Sequence, residues 1–179
     1  MLRFSSLMVV FLFCVVPSIS YAVKVVEADA ICKNVTTNPS FCLTLLKSKH
    51  GADLVTLAQY TIDVARINVT NIVNLIKKLI PQTGNDREAK NYYENCLSSF
   101  GSNGGALSTL VRGEQYLKNG DYVGFGVKVS GLFAEYLSCV ETDSPTDPPY
   151  PDKSLLPKYA GVFHDVVEIM NVISLYLTE

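Results

Sequence analysis

The sequence predicts an all-α protein: an up-down-up-down four-helix bundle, preceded by a short N-terminal helical hairpin and held by two disulfides. Three observations predict it. Apolar residues recur at steps of three and four along four long segments, and no segment alternates long enough to make a strand. The turns between those segments are short, which favours antiparallel neighbours. Beyond the first 22 residues the chain keeps four cysteines, Cys32, Cys42, Cys96 and Cys139, an even number that reads as a disulfide framework.

The N-terminus opens with Arg3, an apolar run from Leu7 to Val16 and a small-residue exit, Ser20-Tyr21-Ala22. This pattern reads as a secretory signal peptide over residues 1–22, cut after Ala22. A membrane anchor is the alternative, but the run is shorter than the roughly 20 apolar residues that span a bilayer. The remaining domain, residues 23–179, divides into a hairpin over 23–50 and a bundle over 51–179. It carries 14 basic and 17 acidic residues, which leaves no electrostatic footprint for nucleic acid or an anionic membrane.

In the hairpin, Cys32 and Cys42 flank Asn38-Pro39, which suggests two short helical arms closed by their own disulfide. The first bundle helix is expected from about Ala52 to Ile80. Its stripe runs through Leu57, Ala65, Val69, Ile72 and Ile76, breaks at Thr61, and ends at Pro81 and Gly84. The second helix starts after the cap residue Asp86 and carries Tyr93, Cys96, Leu97 and Phe100. Gly101-Ser102-Asn103-Gly104-Gly105 interrupts it as a kink, bulge or loop before Leu107, Leu110, Val111 and Leu117 resume the spacing. Asn119-Gly120 makes a turn and Asp121 caps the third helix, whose apolar face runs from Tyr122 through Phe125, Val129 and Leu132 to Val140. Gly124, Gly126 and Gly131 lower its helicity unless they admit a close neighbour. The proline-rich stretch from Ser144 to Asp152 is a loop. A last helix carries Leu155, Tyr159, Phe163, Val166, Met170 and Leu177, with Pro157 tolerated in its first turn.

Folding the second helix back on the third about Asn119-Gly120 brings Cys96 and Cys139 level to about 6 Å, an offset the glycine-rich interruption can absorb. A disulfide needs Cα atoms roughly 4.4–6.8 Å apart, so Cys32–Cys42 with Cys96–Cys139 is the preferred pairing.

Catalytic signals are missing. His50 and His164 are distant from each other and lack ligand-spaced partners, so neither metal nor cofactor is expected. No nucleophile elbow, phosphate-binding loop or zinc-protease helix occurs. Asp143, Asp147 and Asp152 read as a solvated loop. Tyr136 and Tyr159, at helical spacing, read as core. Asn34-Val35-Thr36 and Asn68-Val69-Thr70 are glycosylation sequons at Asn34 and Asn68.

The run Ile31-Cys32-Lys33-Asn34-Val35-Thr36-Thr37-Asn38-Pro39-Ser40-Phe41-Cys42-Leu43, followed by Leu46, resembles the opening of the plant invertase and pectin methylesterase inhibitor family. Gln59-Tyr60-Thr61-Ile62-Asp63-Val64-Ala65 is similar to the family's first bundle helix. Tyr93-Glu94-Asn95-Cys96 resembles its third cysteine, and Gly120-Asp121-Tyr122 with Cys139 its third-helix entry and fourth cysteine. The resemblance implies the hairpin-plus-bundle fold, the same two disulfides and no catalysis. It implies a protein of the extracellular or vacuolar space, here expected to be secreted to the apoplast and cell wall, which covers the substrate cleft of a pectin methylesterase or of a cell-wall or vacuolar acid invertase. Family members directed at invertase often carry Pro-Lys-Phe at the turn where this chain reads Gly120-Asp121-Tyr122, so the resemblance favours the esterase. Esterase inhibitors also tend to place acidic residues after the third cysteine; this chain has Ser98, Ser99, Gly101 and Ser102 there. Expected contacts on the second and third helices are Asp121, Tyr122, Lys128, Ser130 and Glu135. A carrier bundle with an open apolar cavity is the reading from a different class.

Overall fold

A computed structural model of the protein describes residues 25–141 and 150–179. The expected signal peptide, together with Asp143 and Asp147, lies outside the described residues. The described residues form seven α-helices: α1 (Ala28–Cys32), α2 (Pro39–Leu46), α3 (Leu54–Leu79), α4 (Arg87–Phe100), α5 (Ala106–Lys118), α6 (Tyr122–Val140) and α7 (Leu156–Thr178). Among the described residues there is no strand, only one isolated backbone bridge between Val25 and Asp53.

Four helix starts, those of α2, α3, α4 and α6, follow from their caps. Asn38 accepts the amide of Phe41 at 3.1 Å ahead of Pro39, and Asp53 accepts that of Thr56 at 2.8 Å. Asp86 and Asp121 do the same for Ala89 and Gly124, at 3.0 and 2.7 Å. Each bond satisfies a donor that the first helical turn leaves without a partner. Pro157 lies in the first turn of α7, where its missing N–H costs nothing.

The bundle places α3 against α4, α5 and α7, and α6 against α4, α5 and α7. The second bundle rod is therefore two helices, α4 and α5, joined through residues 101–105; the interruption is a loop. Its shape depends on Gly105, where a Cβ would sit 2.4 Å from the Ser98 carbonyl oxygen and 2.5 Å from that of Ser99. Both disulfides form as expected, Cys32–Cys42 with Cα atoms 5.5 Å apart and Cys96–Cys139 at 4.5 Å. The second ties α4 to α6, and Asn95 beside it donates to the Ser138 carbonyl at 2.7 Å.

The core departs from the expected stripes at several positions. Leu155, expected on the apolar face of the last helix, is its N-cap residue and 58% exposed, with Leu156 buried in its place. Thr61 does not break the face of α3: it is fully buried, because its hydroxyl donates to the Ala58 carbonyl at 2.9 Å and so carries no unmet hydrogen bond inward. Val111 faces solvent at 49% exposure; Gly113 takes the core-facing place, against Phe125 and the Lys128 stem. Tyr159 is exposed and Tyr136 half-buried, so neither is full core. Phe100 and Phe163 meet edge to face at 5.5 Å and close the centre between α4 and α7.

The hairpin docks on α7 through polar contacts. The Glu168 carboxylate accepts from the amides of Thr36 and Thr37, at 2.7 and 3.1 Å, and from both threonine hydroxyls. Asp165 accepts from the Thr37 hydroxyl at 3.2 Å and the Asn38 amide at 3.0 Å. Burial pushes the Glu168 carboxyl up, but the donors on Thr36 and Thr37 outweigh it and hold it below the usual carboxylate range.

Candidate functional site

The four cysteines of the described residues are consumed in disulfides, which removes them as nucleophiles. Among the described residues no three His, Cys, Asp or Glu side chains cluster as metal ligands. His50 pairs with Glu27 at 3.3 Å on an open surface, and His164 lies against the rings of Tyr136 and Phe133, 4.7 and 5.5 Å away. The gap at the bundle centre, lined by Ile62, Leu110, Phe125, Leu132 and Met170, has no room for a water molecule, unlike a carrier's cavity. Asp152 is more than a solvated loop residue: it accepts the Tyr93 hydroxyl and the Ser154 amide, each at 2.8 Å. Burial, followed by that hydrogen bond to Asp152, raises the Tyr93 phenol to about 12.

The outer face of α5 and α6 is where a surface site takes shape. It exists because Gly124 lets the Tyr116 ring of α5 approach α6 closely: a Cβ there would sit 2.5 Å from a carbon of that ring. The ring in turn supports the Lys128 ammonium, 5.7 Å from its centroid. One turn back along α5, Arg112 donates to Ser108 at 3.2 Å. Glu135 is half-buried; burial pushes its carboxyl above the usual range and the charge of Arg112 pulls it partly back. On the other flank of α5, Glu114 accepts from Lys118 at 2.6 Å and from Arg66 of α3, donors that hold its carboxyl below the usual range.

The five expected contact residues divide over this geometry. Lys128 and Glu135, seven positions apart, share the edge of α6 that meets α5, while Ser130 is on the open face with its hydroxyl donating to the Gly126 carbonyl at 3.2 Å. Asp121 is exposed, but its carboxylate is occupied as the cap of α6. Tyr122 is half-buried on the core, one turn before Gly126, whose face meets Ser174 of α7. Sequence reasoning missed Arg112, Tyr116, Val123 and Val127. The exposed valines could have been found from their position opposite Phe125 and Val129 on a helical wheel; Tyr116 could not, because its place depends on the approach of α5 to Gly124. Of the sequons, Asn34 is exposed in the hairpin, where its side chain donates to Tyr176 at 2.9 Å, and Asn68 is half-buried within α3, donating to the Val64 carbonyl at 2.9 Å.

A chain with a disulfide-closed hairpin, a four-rod bundle and a second disulfide between the second and third rods has counterparts. Residues 27–142 match the plant invertase/pectin methylesterase inhibitor family, and the chain belongs to it. Family members are inhibitors rather than enzymes. Among solved structures, a mutant form of a pectin methylesterase inhibitor from Arabidopsis is similar, with 27% identity and a TM-score of 0.68, over 84% of this chain and 97% of that one. A second pectin methylesterase inhibitor, from Arabidopsis thaliana, matches with 26% identity and a TM-score of 0.60, over 84% of this chain and 95% of that one. No curated protein matches the chain.

Proposed function

We propose that this protein is a secreted, non-enzymatic inhibitor that binds a pectin methylesterase and covers its active-site cleft, limiting pectin de-esterification in the cell wall. The observation that carries this reading is the likeness over 84% of the chain to two inhibitors of that esterase. The turn Gly120-Asp121-Tyr122 supports it over the invertase branch. Two disulfides fit an oxidising compartment, in keeping with a signal peptide over residues 1–22. The contact face is the outer side of α4, α5 and α6, with Asp121, Tyr122, Lys128, Ser130 and Glu135 as contacts. No cofactor, metal, nucleic acid or membrane takes part. Asn34 and Asn68 are the glycan acceptors.

The test is titration of a purified pectin methylesterase with the secreted protein, following methanol release. Activity falling to a stoichiometric end point supports the reading; unchanged release at excess protein rejects it. The family takes in invertase inhibitors as well, so sucrose hydrolysis by an acid invertase is the parallel arm. Inhibition there alone assigns the protein to the other branch.

A further inference from the structure

Helix α6 carries only two charged side chains between Tyr122 and Val140, Lys128 and Glu135, and both sit on its α5 edge. Its solvent-facing residues Val123, Val127, Ser130, Ala134 and Leu137 recur at steps of four and three, so they form a single uncharged stripe about 21 Å long. Val123 is 69% exposed, Val127 60% and Leu137 41%. A surface helix ordinarily turns charged residues outward; this one turns its charges sideways. Apolar side chains are left in water on both sides of Ser130, and exposed apolar residues grouped on one face with charges at the rim mark an interaction site. Lys128 has no carboxylate within ion-pair distance among the described residues, and Tyr116 holds its ammonium beside the stripe. Arg112, on the same seam, is likewise without an acidic hydrogen-bond partner among the described residues. The seam is thus cationic at two points against one anion, Glu135.

We propose that the α6 stripe is the desolvated centre of the inhibitory contact, and that Lys128 at its edge reads a carboxylate on the enzyme. The partner surface is an apolar ridge or groove bordered by an acidic group. This inference rests on the inhibitor reading above and deepens it, since none of Val123, Val127 and Leu137 is among the contacts named there. Apolar residues at the centre of an interface govern its lifetime, whereas an edge charge governs the rate of encounter and its salt dependence.

The experiment measures association and dissociation rates for wild type and the variants Val127→Asp, Val123→Asp and Lys128→Gln with pectin methylesterase at low and high salt. Circular dichroism melts check that each variant folds. Both valine variants are expected to bind about 30-fold more weakly or worse, through faster dissociation. Lys128→Gln is expected to bind about 3- to 10-fold more weakly, through slower association, with a flatter salt dependence. If wild type inhibits and folded Val127→Asp and Val123→Asp inhibit equally well, this inference falls while the inhibitor reading stands. If wild type binds neither the esterase nor invertase, both fall together. If wild type self-associates in sedimentation and Val127→Asp does not, the stripe is a seam between two copies and the enzyme assignment is overturned.

Discussion

Replacing Cys96 and Cys139 together by alanine removes the one covalent tie between α4 and α6. Both residues are buried, at 0% and 1% exposure, and they stand 43 positions apart in sequence. In the chain-entropy account, a cross-link over that loop removes about 13 cal/mol/K of freedom from the unfolded chain, or about 4 kcal/mol at 25 °C. The hairpin bond spans 10 positions, and the same relation assigns it about 3 kcal/mol. For a domain of this size a loss of about 4 kcal/mol lowers the melting midpoint by roughly 8–16 °C. Calorimetry or urea unfolding of the double variant, beside the Cys32→Ala/Cys42→Ala pair, gives both numbers. The bundle pair should lose more stability than the hairpin pair. A midpoint drop under about 3 °C, or the reverse order, would refute the loop-closure reasoning and mean that the unfolded chain already holds these segments together.

Two further predictions test the hairpin dock and the interrupted rod. Glu168 has a lowered carboxyl, so it stabilises the dock fully well above the unfolded glutamate value of about 4.3 and loses that contribution as pH falls through its lower folded value. Glu168→Gln should raise amide exchange at Thr36 and Thr37 at pH 7 and converge with wild type in strong acid; a gap of constant size between pH 7 and pH 3 would contradict this. Gly105→Ala drives a methyl into two backbone carbonyls that cannot move aside, and should cost about 2–3 kcal/mol by urea unfolding. A neutral effect would mean that the 101–105 loop is free to rearrange.

Much of the fold was legible because its signals are local. Asp86 and Asp121 cap the helices they precede, Pro157 falls in a first turn, and helical spacing located each rod to within a few residues, although the cap of α3, Asp53, fell inside the expected helix. The disulfide partners followed from chain lengths measured about one turn. Legibility failed where a residue's surroundings come from another helix. Thr61 looks like a gap in an apolar stripe, yet a threonine that bonds its own helix carbonyl is a sound core residue. Val111 looks like core until Gly113 is seen to carry the α5–α6 crossing. The contact candidates were chosen on one helix, so Tyr116 and Arg112 on the neighbouring helix could not enter. The stripe at Val123 and Val127 was present in the letters, but reading it required knowing which side of α6 has no neighbour.

The hairpin is held by residues from the far end of the chain. Thr36, Thr37 and Asn38 bind carboxylates at positions 165 and 168, and Asn34 reaches Tyr176. A ribosome makes the first of these long before the last. During synthesis the Cys32–Cys42 ring is free to close on its own, but it has no seat until the final helix emerges. The polar seat of the hairpin therefore cannot form until α7 has been made, whenever the Cys32–Cys42 ring closes.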